Sequence, residues 1–268
     1  MVTTPYDSLL FLWEQRALYI GRIGTPLSVS TGAAALILAL EKPMHFMTLG
    51  KSEPVACRSL IVPPGANVVI NTNGGHIANC TLDPIGRDMH SLTSLAQYRS
   101  GQMYYQLQNE TSCIEFILGL CSPSPGRHGL LKSFIQYLNI GVHKQVDRKV
   151  QHKIDLRIEQ VILSIQNSIS ENTSVTELAR KVNLSPSRLI HLFKKHTGLP
   201  IRRYRLWCRL YVAALIFAQG KSLDEAAFET GFSDLPHFSR TFRSMVGVAP
   251  AHFFSPFLDL QIIIPCRS

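Results

Sequence analysis

The feature that most constrains the fold is an internal repeat in the C-terminal part of the chain. Ser174 to Ala179 (SVTELA) is matched 48 residues later by Ser222 to Ala227 (SLDEAA). Each copy begins with a serine that is followed three residues later by a glutamate, the capping-box pattern that starts a helix. The chain from Asp155 onward is therefore predicted to be helical and to contain one structural unit twice.

Each copy continues into a tight turn and a second helix. Asn183-Leu184-Ser185 matches Gly231-Phe232-Ser233, and Asn and Gly are the residues that tolerate a positive φ in such turns. Further on, Gly198 and Gly247 are each followed by a proline within three residues, which predicts a helix end. The repeat therefore predicts two helix-turn-helix units, at about 174–197 and 222–246, with one extra residue at the start of the last helix.

The geometry of a helix-turn-helix places its second helix in the major groove of DNA. Ser185 as N-cap and Pro186 after it suit the start of the first such helix. Between the units, Ile201 to Gln219 predicts one long helix of about 28 Å. Because successive major-groove faces of B-DNA lie ~34 Å apart, one chain could dock two reading helices a turn apart, with some bending of the DNA.

The distribution of charge agrees with an anionic partner. The chain carries a formal charge of +9, and residues 151–268 hold 15 Lys and Arg against nine Asp and Glu. The stretch from Leu178 to Leu223 contains ten basic residues and no acidic one. A solvated helix normally mixes both signs, so this run predicts a polyanion partner rather than a plain surface. Arg202, Arg203, Arg205 and Arg209 at the start of the long helix would suit phosphates.

The N-terminal half has the pattern of an antiparallel β-sandwich or small barrel. Short apolar runs alternate with turn signals such as Pro63-Pro64-Gly65 at roughly ten-residue spacing. The predicted strands are Leu18–Ile23, Ala34–Leu40, His45–Leu49, Ser59–Val62, Asn67–Ile70 and His76–Leu82. After Ser91 the periodicity predicts helices at Leu92–Gln108, Ser112–Leu120 and Leu130–His143, and Lys144 to Lys153 is the predicted linker.

Other features narrow the class of protein. The longest apolar stretch, Gly32 to Leu40, is far short of the ~20 residues that cross a bilayer, and the first residues show no basic leader. We therefore expect a cytoplasmic protein without a membrane partner. The six cysteines have irregular spacing, which favours buried reduced thiols over disulfides or a metal site.

The segment from about Asp155 to Phe254 resembles the DNA-binding domain of the AraC/XylS family of bacterial transcriptional regulators. The resemblance lies in LARKVNLSPSRLIHLFKKHTGLPIRRYR and in AAFETGFSDLPHFSRTFRSMVGVAPAHF, which contain the family's elements in order. It implies a seven-helix domain, at 155–254, with two reading helices that bind promoter DNA. It also implies RNA polymerase as a partner if the protein is an activator.

The resemblance carries the family's base-reading positions onto this sequence. These fall on Ser187, Ile190 and His191 in the first unit and on Leu235, Pro236, His237 and Arg240 in the second. The family often has Arg where His191 stands and a polar residue at Leu235, so the hydrogen-bonding code is expected to rest on Arg188, His191, His237 and Arg240. The expected phosphate contacts are Lys194, Lys195, Arg202, Arg203, Arg205 and Arg243.

Residues 1–150 resemble, more weakly, the cupin-like sensing and dimerisation domains that precede such a domain. The fold class expected is thus α+β, with a small effector or homodimerisation acting through the N-terminal half. Two other hypotheses remain open at this point: a cupin-type metal enzyme with a basic helical tail, and a non-specific polyanion or membrane-surface binder. The hypothesis of a metal enzyme is disfavoured because His45, His76 and His90 are scattered along the sequence and no His-x-His pair exists. We therefore expect no metal or cofactor. The apolar segment Leu258 to Pro265 is unexplained.

Overall fold

Two β-sheets form the N-terminal half and a set of helices forms the C-terminal half, as the expected α+β class requires. The computed structural model describes residues 8–23, 26–48, 50, 53–82, 87–122, 127, 129–134, 136, 154–254 and 260–264. The strands are β1 (Ser8–Trp13), β2 (Arg16–Arg22), β3 (Leu27–Ser30), β4 (Ala35–Ala39), β5 (Met44–Thr48), β6 (Val55–Cys57), β7 (Ser59–Val62), β8 (Asn67–Asn71), β9 (His76–Thr81), β10 (Ala96–Ser100), β11 (Met103–Leu107) and β12 (Leu260–Ile263). The helices of this half include α1 (Arg87–Thr93) and α2 (Glu110–Cys121).

The larger sheet has the order β10-β11-β7-β4-β9-β2-β1-β12 and the smaller one β3-β8-β5-β6. Strands β1, β4 and β7 of the larger sheet are buried on both faces. In β4, Ala35 and Ile37 face the smaller sheet, whereas Leu36 and Leu38 face a second cluster that contains α2 residues such as Ile117. Because both faces of β4 are buried, its sequence is a continuous apolar run and does not alternate between apolar and polar residues.

The six predicted strands are confirmed, with ends that differ by one or two residues. The helix predicted at Leu92–Gln108 is wrong for most of its length, because β10 and β11 form a hairpin there in which Ser100 pairs with Met103. Gly101 adopts φ +59° in the two-residue turn, and Tyr98 stacks on Tyr105 at 5.5 Å between ring centroids. Aromatic cross-strand pairs stabilise strands, which overrides the helical spacing of the apolar residues.

The helix predicted at Ser112–Leu120 is confirmed by α2. Residues 129–134 are helical, whereas most of the rest of the third predicted helix and the linker up to residue 153 lie outside the described residues. The five described cysteines are all buried, as their spacing predicted. Burial raises the pKa of Cys57 and Cys208 to about 12.

The C-terminal domain consists of seven helices between residues 154 and 254. They are α3 (Leu156–Asn167), α4 (Val175–Lys181), α5 (Pro186–Thr197), α6 (Ile201–Ala218), α7 (Leu223–Glu229), α8 (Leu235–Val246) and α9 (Ala251–Phe254). None of the helices in the described part of the chain is long and apolar enough to cross a bilayer.

The two halves of this helical domain belong to different hydrophobic cores. Helices α3, α4, α5 and the start of α6 enclose their own cluster, which includes Phe193 and Tyr204. In contrast, Phe238 and Phe242 of α8 share one cluster with Leu27 and Val29 of β3 in the barrel. The second helix-turn-helix unit is therefore packed into the N-terminal domain, while the first keeps a separate core.

The C-terminal strand β12 pairs in parallel with β1 at the edge of the larger sheet, with Leu260 opposite Ser8. Leu260 and Ile262 pack on the cluster shared by both domains, and Ile263 packs on the cluster beneath α2. Arg127 donates a hydrogen bond from Nη1 to Gln261 Oε1 at 3.0 Å. The apolar segment that the sequence left unexplained is thus, in its described part, an edge strand of the N-terminal domain.

Candidate nucleic-acid interface

The start of each helix-turn-helix unit is held by the capping box that the sequence predicted. Ser174 and Ser222 accept hydrogen bonds from the backbone N–H groups of Glu177 and Glu225, whose carboxylates accept from the serine N–H groups in return. The predicted positive φ occurs at Asn183 (53°) and at Gly231 (81°). Both units therefore have the same local geometry, which sets the direction of the helix that follows.

In the first unit, helix α5 buries one face and presents the other to solvent. Leu189, Leu192 and Phe193 are buried in the first unit's own cluster. Ser185 caps the helix, with its Oγ accepting from Arg188 N at 3.3 Å. The predicted base-contacting residues on α5 all have exposed side chains, namely Ser187, Arg188, Ile190 and His191. This surface is open to a large partner.

In the second unit, helix α8 begins in a more enclosed setting. Asp234 caps it, with Oδ1 accepting from His237 N at 2.6 Å, and this bond, followed by one from Ser233, lowers the pKa of the Asp234 carboxyl. Pro236 and Arg240 are exposed, whereas Leu235 and His237 are half-buried. Of the four predicted base-contacting residues on α8, the structure therefore exposes Arg240 and Pro236 most.

The predicted phosphate contacts divide into two groups. Lys194, Lys195, Arg202 and Arg243 are exposed, but Arg203 and Arg205 are half-buried. Arg205 donates from Nη2 to the carbonyl of Thr173 at 2.6 Å. Arg203 donates to two barrel carbonyls, from Nε to Thr31 O at 3.2 Å and from Nη2 to Ser30 O. These two guanidinium groups would have to leave their carbonyl partners before they could reach phosphates.

Arg209 has a structural role that sequence reasoning missed. Its side chain is only 4% exposed, and it donates to Ile169 O at 2.9 Å, Gly231 O at 2.7 Å and Asn172 Oδ1 at 3.0 Å. The side chain thus ties the turn of the second unit to the end of α3. The one signal of this role in the sequence was the position of an arginine among the apolar residues of α6. Because Arg209 is buried, the phosphate contact expected for it does not fit the structure.

Both reading helices end against the N-terminal domain. Gly198 and Gly247 adopt the left-handed conformation as C-caps, with φ of 74° and 94°. A Cβ at Gly198 would lie 3.3 Å from Pro64 Cγ, and a Cβ at Gly247 would lie 2.8 Å from Val29 Cγ1. The barrel therefore approaches the C-terminal end of each reading helix, most closely in the second unit.

A cavity of about 110 Å³ lies between the barrel and the second unit. Strands β1 to β4 and β7 to β9 supply one wall, and α6, α8 and α9 supply the other, with residues such as Leu12, Val29, Trp207 and Phe242. Because both domains line it, a molecule bound there would contact the N-terminal domain and the second helix-turn-helix unit together.

The histidines weighed as metal ligands have other neighbours. His76 Nδ1 lies 3.0 Å from Glu41 Oε1, and His45 Nδ1 lies 3.0 Å from Asn73 Nδ2. The side chain of His90 lies outside the described residues. Within the described part of the chain, no three His, Cys, Asp or Glu side chains cluster in a way that could hold a metal ion.

Comparison with known proteins adds to this geometry. A family model described as a helix-turn-helix domain matches residues 178–255. The transcriptional activator RhrA of Rhizobium meliloti is 38% identical over 101 residues, a match that covers 37% of this chain and 30% of RhrA. The probable transcriptional regulator LumQ of Photobacterium leiognathi is 26% identical over 215 residues, covering 76% of this chain and 86% of LumQ. The chain thus spans about a third of the length of RhrA but most of LumQ.

Solved structures of ToxT from Vibrio cholerae share the fold of both domains. The apo form of a ToxT variant superposes with a TM-score of 0.58 at 11% identity, covering 90% of this chain and 97% of that one. A ToxT structure with a bound unsaturated fatty acid gives a TM-score of 0.53 at 13% identity, covering 94% and 96%. The chain therefore shares the two-domain fold of ToxT, with a β-rich N-terminal domain and a helical C-terminal domain in which residues 178–255 match the helix-turn-helix model.

Proposed function

We propose that this protein is a sequence-specific transcriptional regulator that inserts α5 and α8 into successive major grooves of promoter DNA. The observation that carries the proposal is the pair of helix-turn-helix units joined by α6. This helix has 18 residues, about 27 Å in length, which is near the ~34 Å between major-groove faces on one side of B-DNA. The similarity to RhrA, a transcriptional activator, and to LumQ, a probable transcriptional regulator, supports it.

Base recognition is assigned to the first turns of the two reading helices. In α5 it falls to Ser187, Arg188, Ile190 and His191, and in α8 to Leu235, Pro236, His237 and Arg240. Ile190 is 48% exposed and can offer only apolar contact, for example to a thymine methyl group. Arg240 is exposed and can donate two hydrogen bonds to one guanine, which makes it the strongest candidate for sequence choice.

Affinity that does not depend on sequence is assigned to the exposed cations beside these helices. Lys194, Lys195, Arg202 and Arg243 are exposed, so they would meet phosphates without rearrangement, and neutralising phosphates releases counterions. Arg203 and Arg205 would join them only after leaving the carbonyl groups that they bind here. A further partner would be RNA polymerase if the protein activates transcription.

The N-terminal domain is proposed to regulate DNA binding through a small effector or through homodimerisation. The interdomain cavity supports an effector, because its walls come from the barrel and from the second unit. A solved structure with the same fold, that of ToxT, contains a bound unsaturated fatty acid.

Footprinting of the purified protein on promoter fragments tests the proposal. We expect two protected major-groove faces about one helical turn apart. Arg240→Ala should cost ~1 to 3 kcal/mol at one base position and relax the preference there. Arg22→Ala, which removes an exposed arginine on the barrel, is the matched control and should leave the footprint unchanged. Binding to promoter fragments no tighter than to bulk DNA would refute the proposal.

A further inference from the structure

The lining of the interdomain cavity is free of charge. Of the described residues that line it, none is Asp, Glu, Lys, Arg or His. Its polar members are all neutral, and they are Tyr19, Thr31, Asn79, Thr81, Trp207 and Tyr211. The remaining members are aliphatic, aromatic, methionine or glycine residues. The chemistry of the wall is therefore that of an apolar site with a few neutral hydrogen-bonding groups.

Two of these polar residues carry a buried atom without a hydrogen-bond partner among the described residues. They are Asn79 Oδ1, an acceptor on β9, and Trp207 Nε1, a donor on α6. Leaving such a group unpaired is unfavourable, and a ligand that pairs with it would recover the lost free energy. One unpaired group is an acceptor in the barrel and the other is a donor in the helical domain.

The same lining opposes an anionic ligand. A carboxylate buried here would lose its hydration without meeting a cation among the described lining residues, which is strongly unfavourable. The size of the cavity sets a further limit. At about 110 Å³ it is somewhat smaller than the ~150 Å³ apolar cavity known to hold benzene.

We infer that the cavity binds a small, uncharged and largely apolar molecule, about the size of one ring, that carries a hydroxyl-type group. Such a group donates to Asn79 Oδ1 or accepts from Trp207 Nε1. Both atoms are buried in this structure, so neighbouring side chains must move before the ligand can reach them. The flexible thioether side chain of Met245, which lies in the cavity wall, can change its conformation to make room. The inference rests on the proposed function only in calling this molecule an effector.

Fluorescence of Trp207 provides the test. The sequence contains two tryptophans, and Trp13→Phe leaves Trp207, which lines the cavity, as the sole reporter in the full chain. Benzyl alcohol, toluene and benzoate are titrated separately without DNA. We expect a saturable change with benzyl alcohol, binding of toluene weaker by about 2- to 10-fold, and no saturable change with benzoate near neutral pH.

An asparagine variant tests the polar contact. Asn79→Leu should bring the affinity for benzyl alcohol down to that for toluene, whereas Asn67→Leu, at an exposed position on β8, should not change either affinity. If Asn79→Leu does not fold, the ranking of the three probes in the Trp13→Phe chain decides the question. Benzoate that binds as tightly as benzyl alcohol, or the absence of saturable binding by any probe, overturns the inference.

The titrations and the footprinting experiment test the two proposals independently. A chain that binds benzyl alcohol but prefers no promoter fragment retains this inference and loses the proposed function. A chain that protects a promoter but gives the overturning result in the titration retains the proposed function and loses this inference.

Discussion

The two helix-turn-helix units are alike in backbone and different in what supports them. The first unit has its own hydrophobic cluster, and the second shares its cluster with the barrel. The C-cap of α5 meets the barrel at Pro64 in a loop, while the C-cap of α8 lies against Val29 in a strand. Two copies of one motif can therefore differ in how much of their core they share with the other domain, and in this chain the second copy shares more.

The largest expected effect comes from removing one core aromatic residue in each unit. Phe242→Ala and Phe193→Ala should each lower the free energy of unfolding by about 3–5 kcal/mol, because both rings are buried. Only Phe242→Ala should also increase hydrogen exchange in β3, since only that ring shares a cluster with the barrel. Hydrogen exchange read by mass spectrometry measures this. Equal loosening of β3 in both variants would remove the distinction between the units.

Glycine-to-alanine variants at the two C-caps test the closeness of the barrel. Gly247→Ala combines a positive φ with a Cβ 2.8 Å from Val29 Cγ1, and should cost roughly 1–3 kcal/mol. Gly198→Ala should cost less because its nearest barrel atom is 3.3 Å away. Gly220→Ala isolates the backbone strain, because its φ is 92° and no neighbour lies within 4 Å. Urea denaturation should rank the three in that order, and a cost at Gly220 equal to that at Gly247 would contradict it.

A smaller effect should distinguish two adjacent arginines at the start of α6. Arg202→Ala should weaken binding to all DNA sequences alike and reduce the slope of log affinity against log salt by about 0.9. Arg203→Ala should reduce the slope less, because its guanidinium binds the carbonyls of Ser30 and Thr31. Fluorescence anisotropy over a salt series measures both. An equal reduction would mean that Arg203 leaves the barrel when DNA binds.

The smallest expected effect concerns pH. Asp234 caps α8, and its pKa is below the usual 3.8, so its contribution to stability is present above about pH 4 and is lost as the pH falls through the folded value. Asp234→Asn keeps a capping side chain but should make the stability of the second unit less sensitive to acid. Ser185, which caps α5, does not titrate. Urea midpoints between about pH 7 and pH 3 measure the difference, and identical acid sensitivity in Asp234→Asn and the parent chain would contradict the expectation.

Local signals in the sequence were sufficient to predict the helix starts and turns of the helical domain. The capping boxes at Ser174 and Ser222, and the positive φ at Asn183 and Gly231, depend on residues within one turn of each other. Several features that depend on distant partners were not found. Strands β1, β3, β6 and β12 were missed, because a short edge or buried strand is recognised by the strand beside it.

The acid-free basic run shows the same limit at the candidate site. Its ten basic residues predict a single surface that binds a polyanion, but Arg203, Arg205 and Arg209 donate hydrogen bonds to backbone carbonyls. Composition reports the charge of a segment and not the direction of its side chains. The base-contacting and phosphate-contacting residues named from the resemblance therefore stay predictions until DNA binding is measured.

Strand β12 has a consequence for the connectivity of the molecule. The helical domain follows the barrel in sequence, yet the chain beyond it returns to the barrel and joins the sheet at β1. The domain is thus attached at both ends, once by the covalent chain and once by strand pairing. A protease cut within residues 137–153 would leave two fragments that stay associated. They would separate only when the pairing of β12 with β1, the shared hydrophobic cluster and the hydrogen bonds of Arg203 to the barrel carbonyls are all lost.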